Sequence, residues 1–267
     1  VTPLVEEAES NGNVSVGSNE DTHDLNLALG FKVNPYWMAG AQRGIQHSIS
    51  FARRYAEKGD HKVSGSALEA VIAINHAYVK AKGKTFFANN MLIPTDVSSD
   101  AFINDTLEHL RQNIRIGISR GDEQQLEQTL RAMADLVQVY LQIGYSDQFD
   151  SKSHALLAAR YLTDAVEAIL PHKMEDVLME GVRLMGHSAH SILQCSKPED
   201  ITGIVDRIGV IACTGSVNEK YRPVTMVAVT QLANLTITLI QSQSYDIHFA
   251  VKQISKNVTM AADIFLK

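Results

Sequence analysis

The chain has 267 residues, 45% of them apolar and only 6% aromatic, with a formal net charge of −6. Residues 1–31 hold Glu6, Glu7, Glu9, Glu20, Asp21 and Asp24 and no Lys or Arg; taking those six from 30 acids leaves 24 against 24 bases. The body is therefore neutral and lacks the basic stripe that a nucleic-acid-binding surface needs, while Cys195 and Cys213 are too few for a secreted disulfide framework and suit a reducing compartment.

Residues 1–20, rich in Ser, Asn, Gly and Glu without periodicity, read as an acidic arm or linker. A short helix is expected from Thr22, through Leu25, Leu27, Ala28 and Leu29, to a stop at Gly30. Asn34-Pro35 supplies a cap and a first-turn proline for a long helix to about Lys58. The segment 62–82 carries Val63, Ala67, Val71, Ile74 and Tyr78 at the helical period, and 84–98, with Phe86, Phe87 and Pro94, reads as a loop. Ile103, Leu107, Leu110, Ile114 and Ile118 mark a helix over about 100–119, and Leu126, Leu130, Met133, Val137 and Tyr140 another over 122–143. A helix from Ser151 ends before Pro171, and 173–195 shows Met174, Leu178, Val182, Met185, Ala189 and Ile192 on one face. Pro198-Glu199-Asp200 opens a helix to about Cys213. Residues 224–241 are apolar nearly all round and should form the most buried helix, and Ile247 to Phe265 closes the chain with one more stripe.

One unit recurs at a spacing of 62 residues. Gly59-Asp60 is followed by Leu68, Ala70 and Tyr78, and Gly121-Asp122 by Leu130, Ala132 and Tyr140. Each copy reads as helix, Gly-Asp turn, helix, and such hairpins bury their apolar faces only by stacking. Ile208 stands eight residues after Asp200, as Leu130 does after Asp122, which places a degenerate third copy there. The expected fold is all-α, with about nine or ten helices as stacked antiparallel hairpins, either α-solenoid-like or an irregular bundle. Residues 21–267 form one repeat-like helical domain, with a possible sub-division near 145–150. No strand is expected, and no run of 18 apolar residues for a membrane span.

Two clusters and one aromatic pair invite a functional reading. Asn104, Asp105, Glu108, His109, Arg111 and Arg115 share one helix and form a mixed-charge binding patch if that helix lines a concave surface. The ordinary alternative is a dipole-favoured first-turn acid and a Glu108–Arg111 surface pair. His187 and His190 lie three apart and supply two metal ligands at most. No third ligand follows at a characteristic spacing, and Arg183 on the same face opposes a cation, so no metal is assigned. Trp37, beside Tyr36, anchors either a partner or the helix entry. Phosphate-binding loops, dinucleotide fingerprints, nucleophile elbows and zinc-protease helices are missing from the sequence. No catalytic residue and no cofactor is expected.

The stretch Arg43-Gly44-Ile45-Gln46-His47-Ser48-Ile49-Ser50-Phe51-Ala52-Arg53-Arg54-Tyr55, with Gly59-Asp60 and Ala67-Leu68-Glu69-Ala70, resembles the soluble region of a family of bacterial membrane proteins without assigned activity. Phe102-Ile103-Asn104-Asp105-Thr106 is similar to an Asn-Asp segment in such proteins. The resemblance covers about residues 40–145 and implies membrane attachment through segments upstream of Val1; the two cysteines place the soluble domain's expected location on the cytoplasmic side. The reading that follows is a non-catalytic helical-repeat domain that binds a protein partner or itself, with no nucleic acid. The alternative is a small-molecule or metal-responsive sensor, or a cryptic hydrolase, in which Asn104, Asp105, His109, Arg111, His187 and His190 converge.

Overall fold

The computed structural model describes residues 35–88, 99–142, 151–216, 219–241, 251–252, 254–256 and 258–260. Among them no strand occurs, and eight long helices follow one another: α1 (Pro35–Glu57), α2 (His61–Ala88), α3 (Ser99–Arg120), α4 (Glu123–Gln142), α5 (Ser151–Ile169), α6 (Glu175–Cys195), α7 (Thr202–Ser216) and α8 (Arg222–Gln241). Short 3₁₀ turns at Leu170–His172, Pro198–Ile201 and Glu219–Tyr221 lead between the last four. The expected helix from Thr22 and the possible sub-division near 145–150 fall outside the described residues. The expected loop over 84–98 begins later, because α2 carries Phe86 and Phe87 as far as Ala88.

Each odd-numbered helix packs antiparallel on the even-numbered helix that follows, giving four hairpins. The hairpins stack so that α1, α3, α5 and α7 form one layer and α2, α4, α6 and α8 the other. The fold is all-α, a two-layer array of stacked hairpins.

The corners explain why the chain turns where it does. After α1, Gly59 adopts φ 74°, and the Gly59 and Asp60 amides donate to the Ala56 and Tyr55 carbonyls at 2.9 Å each. This is the left-handed C-terminal cap that closes a helix on glycine. Asp60 then opens α2, its Oδ1 accepting from the Val63 amide at 3.2 Å. Gly121 (φ 68°) and Asp122 reproduce the arrangement, with Asp122 Oδ1 accepting from the Gln125 amide at 3.0 Å. The third corner is not at Asp200, as the spacing had suggested. It lies at Lys173-Met174, where Lys173 takes the left-handed conformation (φ 61°) and Met174 precedes α6. Asp200 does other work: its carboxylate accepts from the Lys197 amide and pairs with Lys152 at 2.6 Å. The sequence conceals the third corner because neither Gly nor Asp survives in it.

Aligned on these corners, five positions recur. Ser64, Leu68, Val71, Asn75 and Tyr78 on α2 correspond to Leu126, Leu130, Met133, Val137 and Tyr140 on α4 and to Leu178, Val182, Met185, Ala189 and Ile192 on α6. All fifteen are buried. The expected α2 stripe is therefore turned slightly, since Val63 and Ile74 are half-buried while polar Ser64 and Asn75 are inside. Asn75 has a reason to be there. Its Oδ1 accepts the Tyr140 hydroxyl at 2.9 Å, and its amide donates to the Val71 carbonyl at 2.9 Å. Burial pushes the Tyr140 hydroxyl well above its ordinary pKa, with Tyr78 adding to the shift. Tyr78 in turn stacks on Phe102 of α3, ring centroids 4.0 Å apart.

Helix α8 departs from expectation. It buries Val224, Thr225, Ala228, Leu232, Leu235 and Leu239 against α6 and α7, fewer residues than α4 does, and leaves Met226, Ile237 and Ile240 more than half exposed. Helical residues also follow it within 251–260, where Ile254 is buried in the same core. Helix α8 is also long and apolar enough to cross a membrane, with mean hydropathy 1.5 over an 18-residue window of which 33% is buried. That revises the expectation that no such run exists.

Two substitutions test this account. Gly121→Ala places a side chain at φ 68° and should cost about 1 kcal/mol, whereas Gly203→Ala, in an open helical position, should be neutral or stabilising; equal effects in urea unfolding would contradict the corner assignment. Tyr140→Phe leaves the buried Asn75 Oδ1 without its donor and should cost about 1–3 kcal/mol in the same measurement.

Candidate functional site

An opening of about 540 Å³ lies between α6 and α8. Arg183, His187 and His190 stand on one face of α6, and Gln231, Asn234 and Thr238 on the opposing face of α8, with Leu235 and Ile237 beside them. Gly186 sets the approach of the two helices at this level, because a Cβ there would overlap the Gln231 side-chain amide. The polar stripe on α8 was legible as Gln231, Asn234 and Thr238 at helical spacing, but the apolar background of that helix hid it.

Hydrogen bonding defines the state of His190. The Thr238 hydroxyl donates to the Asn234 carbonyl at 3.0 Å, so His190 Nδ1, 3.1 Å away, is the donor to Thr238 Oγ1. His190 Nε2 then accepts from the Gln194 amide at 3.1 Å. Both ring nitrogens are committed, and neither offers a lone pair to a metal. Among the described residues no group of three His, Cys, Asp or Glu is placed to hold a metal ion. His187 and His190 thus belong to a polar cleft, and with Arg183 on its wall the chemistry offered is hydrogen bonding and one cation.

The cleft borders a charged strip that crosses the even-numbered layer. Arg131 of α4 pairs with Glu180 of α6 at 3.0 Å, and Arg183 reaches the same carboxylate at 3.6 Å. Gln138 donates to Ser191 at 2.9 Å and ties the two helices further along. Asp135, on the exposed side of α4, lies beside this strip. Partial desolvation, with Glu69 adding, raises its carboxyl above the usual range, and Arg131 and His187 offset part of the shift.

The cluster on α3 lies in the other layer and does not meet the histidines. Asn104 and Asp105 are exposed, and Asp105 and His109 edge a crevice against Gln42, Ile45 and Gln46 of α1 of only about 10 Å³, at the lower limit for one water. Arg111 is held by Glu108 at 2.7 Å and lies 5.7 Å from the Tyr161 ring centre. The Glu108 hydrogen bond raises its pKa further above its ordinary value. These contacts are those of an ion pair laid over an aromatic ring. Trp37 lies in the first turn of α1, and its side chain is outside the described residues.

No protein-family model, curated protein or solved structure matches the chain. What it can do must be argued from its own surface.

The Asp135 environment has a consequence in solution. A carboxyl raised in the folded state above its unfolded pKa of about 4 contributes stability that is complete below that pH and is lost as pH rises through the raised value. Asp135→Asn should therefore raise the melting temperature at pH 7 and lose its advantage near pH 4. A variant less stable than the parent at pH 7 would show that the Arg131 and His187 attractions dominate.

Proposed function

We propose that this chain is a non-catalytic helical-repeat scaffold that binds a protein partner through α8, attached to a bacterial membrane through segments upstream of the array. The observation that carries the reading is the uncovered face of α8. Met226, Ile237 and Ile240 are 60%, 52% and 58% exposed along one side of the helix, and Ile237 also borders the polar cleft. An apolar stripe edged by hydrogen-bonding side chains has the composition of a recognition surface, in which apolar anchors supply affinity and polar neighbours supply register. Regular stacking of hairpins supports the same reading, because arrays of this kind present extended surfaces built from successive units. The membrane context rests on the resemblance of residues 43–55 and their neighbours.

Photo-crosslinking residues placed at Met226 and Ile237 in the full chain, in native membranes, should capture one partner in stoichiometric yield. The same residue at Gln112, exposed on α3, should capture little. Light scattering across concentration separates a foreign partner from a second copy. A monomeric protein whose α8 positions capture no more than Gln112 would sink the proposal.

A second reading, small-molecule recognition, is favoured by the volume of the α6–α8 cleft and its convergent Arg183, His187, Gln231 and Asn234. It needs a ligand whose binding is lost when Asn234 is changed.

A further inference from the structure

At the opposite end of the array, α1 presents a ledge of cations and aromatic rings. His47, Phe51, Arg54 and Lys58 are exposed on one side of the helix, with Tyr55 half-buried beside them. Phe51 is 46% exposed, and its ring centroid lies 4.4 Å from that of Tyr55. Lys58 Nζ is 5.0 Å from the Tyr55 ring centre. No acid lies in this sector: Glu57 points away to pair with Arg120 of α3 at 2.6 Å. His47, Arg54 and Lys58 form no ion pair among the described residues.

We propose that the occupant of this ledge is the acidic N-terminal arm of the same chain. The first argument is charge. The arm carries six acids without one Lys or Arg, against a ledge with bases and no acid, in a chain that is otherwise balanced. The second is reach. Phe51 and Arg54 stand roughly 24–28 Å along the α1 axis from Pro35 at 1.5 Å per residue. The 14–15 residues from Asp21 and Glu20 to Pro35 can span roughly 50 Å at most, and still roughly 33–37 Å if 22–29 take the helix expected from the sequence. Either length brings Glu20 and Asp21 to Arg54, and Glu20 to Lys58. The third is sequence order, since Leu25 and Leu27 follow those acids at once and would meet Phe51 and Tyr55 when the carboxylates meet the cations. Docking in cis carries a high effective concentration, so modest contacts suffice.

Zero-length carbodiimide crosslinking of the full chain reads this contact directly. Lys80, exposed near the end of α2, lies closer than Lys58 to the point where the arm joins, because α1 and α2 run antiparallel. An undocked arm would therefore link to Lys80 in preference. The expected result is the reverse: Lys58 joined to Glu20, Asp21 or Asp24 in several-fold excess over Lys80, at a yield independent of protein concentration. The link should fall several-fold as salt approaches ~1 M, where screening acts within about 3 Å. It should fall likewise in Phe51→Ser and Arg54→Glu, surface changes whose folding is checked by circular dichroism. Three outcomes would overturn the proposal. Lys80 could dominate; the link could grow with concentration, giving the ledge to a second copy; or phosphatidylserine vesicles could bind the parent as tightly as Glu20→Gln/Asp21→Asn/Asp24→Asn, giving it to a lipid surface.

Discussion

The array is held by one requirement: the inward stripe of each even-numbered helix can leave water only between neighbouring hairpins. Leu68, Leu130 and Val182 occupy the same place in three successive helices, and each is almost completely buried. Removing such a side chain costs about 2–5 kcal/mol in a core that cannot collapse around the gap. A lone hairpin leaves this stripe on its surface. Stacking is therefore the condition of folding for each unit, and stability accumulates hairpin by hairpin.

Apolar stripes alone would tolerate sliding, and the interior contains polar bonds that forbid it. Asn113, buried in α3, donates to Thr129 Oγ1 at 2.8 Å and accepts from Gln125 Nε2 at 2.8 Å, locking α3 to α4. Gln128 donates to the His61 carbonyl at 2.8 Å, and Tyr140 to Asn75, so α2 and α4 meet in one register only. A slip by one turn would strand these groups in a medium where an unmet hydrogen bond costs about 1–3 kcal/mol. Arg53 shows the cost in milder form. Its burial, with Arg120 close by, lowers its pKa, and Glu57 restores part of the shift.

Architecture was legible wherever local rules and tertiary packing agree. Gly59-Asp60 and Gly121-Asp122 announce their corners because a left-handed cap and an acidic N-cap each demand particular residues. Lys173-Met174 has the same backbone with neither residue, so the spacing pointed instead to Asp200. The burial of α8 was misjudged for a related reason: composition reports how apolar a helix is, and its neighbours decide how many sides are covered. Sites fared differently. Asn104, Asp105, His109 and Arg111 share one helix in the sequence, but Asn104 stays exposed, Asp105 and His109 edge a crevice filled by α1, and Arg111 lies over Tyr161. His190 was visible, while Thr238 and Gln194, which fix its tautomer, come from an apolar helix and from a position one turn on.

The left-handed lysine has a further consequence. An L-residue with a Cβ occupies that region at a penalty of about 1–2 kcal/mol, which glycine avoids. Lys173 is exposed, and among the described residues the packing of the two helices it joins is what offsets the difference. The corner between α5 and α6 is therefore softer than the two glycine corners. Amide protons there should escape to solvent before those at the glycine corners, and mechanical tension should part this hairpin before the two that close on glycine.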